Sequence, residues 1–156
     1  MAESPDPRSF RERLTVPLRW WVQGTMLVAS LWLALVVAVP EPVAWSVAGA
    51  AMTLLALLLI AYGAAQVIVE DGVLRAGRAT IEAVHLGAAV ALDPEQTRRT
   101  SGVDADARAY LVLRPYLKRA VRIEITDPAD PAPYWLVSSR HPDRLAGALA
   151  ALTRSP

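Results

Sequence analysis

A chain of 156 residues with a formal net charge of +1 has room for one compact domain and a small anchor, and no global charge excess that would draw it to nucleic acid. Its hydrophobic fraction of 54% and mean hydropathy of +0.31 are high for a water-soluble domain, and the apolar excess lies almost wholly before residue 70. Cysteine is absent, which excludes disulfides, zinc–thiolate centres and thiol catalysis.

Residues 1–19 read as a polar N-terminal segment carrying Arg8, Arg11, Arg13 and Arg19. From Trp20 to Val39 the next 20 residues carry no charge. At about 1.5 Å rise per residue they span roughly 30 Å, the hydrocarbon thickness of a bilayer. Pro40-Glu41-Pro42 interrupts the run, and a further 27 uncharged residues follow from Val43 to Val69, with Gln66 the only strongly polar side chain among them. Backbone polar groups inside a bilayer must be paired within the segment, so residues 20–63 are expected to form a hairpin of two transmembrane helices. Two buried core helices are the alternative, but a chain this small cannot cover both runs on all sides. A cleaved signal peptide is not expected either, since the first run exceeds the usual apolar stretch of about 7–15 residues.

The basic residues set the orientation. Four arginines precede the first helix, Arg75 and Arg78 follow the second, and the turn between the helices has neither Lys nor Arg. The positive-inside bias puts both termini in the cytoplasm of a multi-pass plasma-membrane protein. Trp20, Trp21 and Tyr62 then suit the inner interface and Trp45 the outer one. Ser30, Ala34 and Ala38 in the first helix, and Gly49 and Thr53 in the second, form four-residue strips of small side chains that are expected to let the two helices pack closely, the alternative being a dimer face. Neither span contains Asp, Glu, Lys, Arg or His, which argues against a transporter.

After Tyr62-Gly63 the apolar spacing changes from helical to alternating, and residues 64–156 are expected to form a β-rich domain. Gln66–Glu70 and Val73–Ala76 flank Asp71-Gly72, a strong signal for a hairpin, because a type I′ turn needs positive φ at both central residues. Strand-like residues continue from Thr80 to Leu92. Asp93 to Arg108 is polar and reads as a mobile surface loop. Tyr110–Leu113 is a predicted strand. Val121–Thr126 alternates strictly, with one apolar and one solvated face. The proline-rich turn Asp127–Pro133 returns the chain to a partner strand over Tyr134–Ser138. A C-terminal helix follows, with Pro142 at its first position and Leu145, Leu149 and Leu152 along one face. Five or more short strands closed by one amphipathic helix predict an α+β domain, an antiparallel β-barrel or sandwich of pleckstrin-homology-like order. That is an analogy of architecture and carries no function.

The stretch from Asp127 to Leu149, with its string Asp-Pro-Ala-Asp-Pro-Ala-Pro-Tyr-Trp, is distinctive. Together with Arg11-Glu-Arg-Leu-Thr-Val-Pro17 and Leu113-Arg114-Pro115-Tyr116 it resembles a family of actinobacterial membrane proteins catalogued only as a domain of unknown function. The resemblance covers nearly the whole chain. Departures are mild: Tyr116 stands where Trp is common in the family, and Ala132 and Ser139 stand where Thr is common. The resemblance implies two N-terminal membrane helices and a location. It implies no catalytic residue.

Motifs for chemistry are missing. No His-Glu-x-x-His, Gly-x-Ser-x-Gly, phosphate-binding Gly-Lys-Ser/Thr or Rossmann glycine pattern occurs, so no catalytic, cofactor-binding or metal residue is assigned and no cofactor is expected. His85 and His141 are far apart, Asp104-Ala105-Asp106 reads as solvated charge, and Asp127 and Asp130 read as turn residues that bond nearby backbone N–H groups. One constellation stands out. Arg114, Lys118, Arg119, Arg122, Arg140 and Arg144 cluster in sequence around Tyr116 and Trp135, and arginine beside aromatics suits anionic headgroups or acidic peptides. The alternative is that these charges only keep a small domain solvated. The expectation is a membrane-anchored, non-catalytic binding or scaffold module whose partner is a protein or an anionic lipid. The competing expectation is an enzyme or accessory subunit acting on a lipid-soluble substrate.

Overall fold

The computed structural model describes residues 9–154. Arg8, counted above among the orienting charges, lies outside them. The chain divides into two compact units, one formed by Thr15–Ala65 and the other by the residues on either side of it, and each is described by itself.

The inner unit is a pair of helices, α1 (Leu18–Ala38) and α2 (Glu41–Tyr62). Pro42 sits in the first turn of α2, where its missing N–H costs no hydrogen bond, and the Gly63 N–H closes the last turn on the Leu59 carbonyl at 3.0 Å. Both helices are long and apolar enough to cross a bilayer. No residue of α1 is buried, and α2 buries only Ala44, Ala48 and Leu59. Where the helices meet, Gly24 packs against the Leu55 side chain, and a Cβ added there would lie 2.6 Å from Leu55 Cδ2, so that leucine would have to shift. Trp20 stacks on Tyr62 with ring centres 6.3 Å apart, and Trp32 packs on Trp45 at 5.0 Å. The strips of small residues expected to pack the helices together do something else. Ser30, Ala34, Ala38, Gly49 and Thr53 are all exposed, and the Ser30 and Thr53 hydroxyls donate to the carbonyls of Met26 and Gly49 one turn back. Four-residue spacing places residues on one face without saying which face meets the partner helix.

The other unit is α+β. The segment before α1 supplies a strand, β1 (Phe10–Arg13), which pairs antiparallel with β2 (Gln66–Glu70). β3 (Val73–Ala76) follows across the expected Asp71-Gly72 turn, with φ of 51° and 77° at the two central residues, and β4 (Ala79–Glu82) completes the sheet in the order β1-β2-β3-β4. Alternation is strict. Phe10, Glu12, Val67, Val69, Leu74, Ala76 and Ile81 are buried, with exposed or half-buried side chains between them. The hairpin unit is therefore an insertion between two neighbouring strands of one sheet.

A short 3₁₀ turn (Ala83–His85) leads to β5 (Leu86–Leu92). The stretch read as a mobile loop contains a helix, α3 (Pro94–Ser101). Its start is a capping box: Asp93 Oδ1 accepts from the Gln96 N–H at 2.7 Å, and Gln96 Oε1 accepts from the Asp93 N–H at 3.0 Å. β6 (Tyr110–Val112), β7 (Ala120–Ile125) and β8 (Tyr134–Ser138) complete a second sheet, ordered β5-β7-β8-β6. The β7–β8 pairing is the antiparallel one expected, but β6 joins β8 in parallel. Among the described residues the two four-stranded sheets do not close into a barrel.

All five residues of β8 are buried because both its faces are covered. Trp135 and Val137 lie opposite Ile123 and Val121 on one face. On the other face Tyr134 and Leu136 join Leu92 and Ala120, with Ala109 and Leu113 packed against them. The Asp106 N–H donates to the Tyr134 hydroxyl at 3.1 Å, so the polar segment before β6 is a strap over the sheet. Arg108 holds that strap: its backbone N–H, and then its guanidinium, keep the Asp106 carboxyl below the usual carboxylate range. Asp104 pairs with Arg99 at 3.5 Å. Asp127 and Asp130 accept from the N–H groups of Ala129 and Ala132, the turn role read for them. The final helix, α4 (Pro142–Thr153), packs on β5 and β7 and buries Leu145 and Leu149.

Candidate functional site: a basic rim around a buried glutamate

The alternation in Phe10-Arg11-Glu12-Arg13-Leu14 turns Phe10, Glu12 and Leu14 inward, so a carboxylate enters the apolar face of a sheet. Glu12 is only 8% exposed. A buried charge must be met by hydrogen bonds, and two are supplied from the far end of the chain. The Ser139 hydroxyl donates to Glu12 Oε2 at 2.6 Å, and the Arg140 N–H donates to Oε1 at 2.8 Å. The Arg140 guanidinium stands 3.8 Å from Oε1 and donates to the Arg13 carbonyl at 3.0 Å. Ser139, itself 1% exposed, also accepts from the His141 N–H at 3.0 Å, so one hydroxyl links the glutamate to the start of α4.

Two further bonds tie in the loop between β6 and β7. The Tyr116 hydroxyl donates to the Leu14 carbonyl, and the Arg114 N–H donates to the Ser138 hydroxyl at 3.1 Å. The Ser139 N–H donates to the Arg119 carbonyl at 3.2 Å, and Arg119 pairs with Asp143 of α4 at 3.1 Å. Three segments distant in sequence, 12–14, 114–119 and 138–144, thus form one continuous bonded patch.

Of the residues singled out in the sequence, Arg114, Tyr116, Arg119 and Arg140 are bonded into the patch, and Lys118 and Arg144 lie exposed on its segments. Trp135 is a correction. It is 4% exposed, packed against the Tyr110 ring at 4.9 Å on a strand covered on both faces, and offers no surface to an outside ligand. Arg122 is also set apart, lying over the Tyr134 ring with its guanidinium carbon 4.5 Å from the centroid. Tyr116 is half-buried, and its hydroxyl is committed to Leu14. Glu12, Arg13 and Ser139 belong to the patch and were not among the sequence-based candidates. The signal for β1 was present in the five-residue alternation from Phe10 to Leu14, masked by its adjacency to the long apolar run.

Charge in the patch is one-sided. The three segments carry six basic side chains, Arg13, Arg114, Lys118, Arg119, Arg140 and Arg144, against two acids, Glu12 and Asp143, and Glu12 is buried. Among the described residues Arg13, Lys118 and Arg144 are exposed and in no ion pair, and no group of three His, Asp or Glu side chains is placed to hold a metal ion.

These features define a class: an α+β unit of two four-stranded sheets and two helices, interrupted by a long apolar helix pair and bearing a basic rim where its two chain ends are tied together. The chain belongs to the family described as a protein of unknown function (DUF3093), whose model matches residues 9–149. No curated protein and no solved structure matches it.

Proposed function

We propose that this chain is a membrane-anchored, non-catalytic binding or scaffold module of the plasma membrane, with both termini and the α+β unit on the cytoplasmic side. The observation that carries the reading is the insertion of two uncovered apolar helices between adjacent strands of one sheet. Side chains such as Leu18, Met26, Leu27, Val37, Leu57 and Leu58 are 58–87% exposed, an apolar surface far beyond what a water-soluble monomer presents. In a bilayer that surface is solvated by lipid. Arg11, Arg13, Arg19, Arg75 and Arg78 flank the helices on the terminal side and none lies in the turn, which supports the orientation. The likeness to an actinobacterial membrane family supports the same layout. Strands followed by a C-terminal helix support a pleckstrin-homology-like reading of the α+β unit, from which the parallel β6–β8 pair is a departure.

The test is topological. Reporter domains fused at the N-terminus, inserted at Glu41 and fused at the C-terminus should read cytoplasm, exterior and cytoplasm, with the protein resisting extraction by alkaline carbonate. An exterior signal at the C-terminus would overturn the orientation. Release by carbonate would overturn the anchor.

A further inference from the structure

The basic rim has a partner of definite chemistry: we infer that it docks on the phosphate-bearing headgroups of an anionic bilayer, so that the α+β unit lies against the leaflet in which it is anchored. This rests on the membrane-anchored reading and adds a ligand to it. The case begins with charge. The three segments carry six basic side chains and two acids, of which Glu12 is sealed beneath Ser139 and Arg140, and Asp143 is committed to Arg119. Arg13, Lys118 and Arg144 are left exposed with no acidic partner among the described residues. Each comes from a different segment, and the hydrogen bonds described above hold the three segments together, so the excess charge is fixed in place rather than spread along a flexible tail.

Chain connectivity selects the bilayer over other polyanions. Leu14, whose carbonyl receives the Tyr116 hydroxyl, is four residues before Leu18, the first residue of α1. Four extended residues reach at most roughly 14 Å, so part of the rim is tethered at headgroup range as soon as α1 is in a membrane. Arg19 in the first turn of α1 adds a further cation at that depth. Anionic headgroups attract each basic residue near the surface strongly enough to change a docking ratio roughly fivefold.

The experiment uses the full chain. It has no cysteine, so His141→Cys introduces a single labelling site that is exposed, lies within the rim and keeps all six cations. Spin-labelled protein is placed in nanodiscs of phosphatidylcholine alone and of an equal mixture of phosphatidylcholine and phosphatidylglycerol. Collisions with a water-soluble nickel chelate then report access to the label. The label should be shielded in the anionic discs and accessible in the neutral ones. Raising salt from about 0.1 M to about 1 M shortens the screening length from roughly 10 Å to roughly 3 Å and should restore access. Arg13→Gln, Lys118→Gln and Arg144→Gln together should lower the docked-to-free ratio by roughly a hundredfold, whereas Arg13→Lys with Arg144→Lys should keep it. Equal access in both discs at low salt, with the chain co-eluting with the disc, overturns the proposal and leaves an acidic protein segment as the rim's partner. Shielding that survives both salt and the triple substitution overturns it as well. A chain that fails to enter either disc overturns the anchored reading beneath it.

Discussion

Replacing Glu12 tests whether β1 is a structural strand tied to the C-terminal segment or a dispensable edge. Its carboxylate accepts from the Ser139 hydroxyl at 2.6 Å and the Arg140 N–H at 2.8 Å, in a site where Ser139 is 1% and Glu12 8% exposed. Hydrogen bonds to a charged acceptor contribute about 1.5–3 kcal/mol each, and a donor left buried and unmet costs about 1–3 kcal/mol. Against this stands the desolvation of the carboxylate, several kcal/mol, which the substitution relieves. Glu12→Ala removes both acceptors and leaves the donors in place, so a net loss of about 2–4 kcal/mol is expected. Glu12→Gln keeps one acceptor oxygen and the side-chain volume and should lose about 1–2 kcal/mol. For a unit of this size each kcal/mol moves the midpoint by about 4–8 °C, so the order wild type, Gln, Ala should be separated by readily measured steps. The assay is thermal unfolding of the detergent-solubilised full chain, with amide hydrogen exchange at Val67 and Val69, which pair with β1. Exchange at those two amides should quicken in the Ala variant before the β7–β8 amides respond. Three coincident melting curves with unchanged exchange would refute the clasp and show β1 to be a passive edge.

Two further outcomes follow from the same packing. A chain that begins at Ala64 lacks β1, forfeiting the burial of Phe10 and Leu14, about 1.5–3 kcal/mol each, and exposing β2 as an unpaired edge; it should aggregate, whereas residues 9–14 joined by a short flexible linker to residues 66–154 should give a monomer with a cooperative melt on size exclusion and circular dichroism. Ile123 is fully buried between Ala89 and Trp135 in the second sheet, so Ile123→Asp should abolish that melt, an unpaired buried carboxylate costing several kcal/mol, while Ile123→Val should cost only about 0.5–1.5 kcal/mol; a wild-type melt for the Asp variant would mean the strand register is wrong.

Elements specified locally were legible in the chain. The Asp71-Gly72 pair favours positive φ at both residues, and the two-residue hairpin it signals is the one formed, with Glu70 opposite Val73. Val121–Ile125 alternates because one face is wet, and that alternation holds in the structure. Pro142 can start a helix but cannot continue one, and α4 begins there. The Asp93-Pro-Glu-Gln96 capping box is equally local, but the polar residues around it leave no apolar periodicity to mark a helix. Polarity marks a helix that packs little, not the absence of one.

Sequence by itself determined the two long apolar helices, the β-hairpin that follows them, the β7–β8 pair and the closing helix, since each depends on spacing within a few residues. Tertiary structure alone decided that residues 10–13 belong to the first sheet, across an insertion of 52 residues from Leu14 to Ala65. It also decided that β6 runs parallel to β8 and that Trp135 is core rather than surface. These outcomes depend on which distant segment covers a given face, and a strand's own side-chain pattern carries no record of its neighbour. The basic rim is of the same kind. Its arginines were visible as a cluster in sequence, but Glu12, which is covered by Ser139 and Arg140, comes from the opposite end of the chain, and only folding brings the two ends within 2.6 Å.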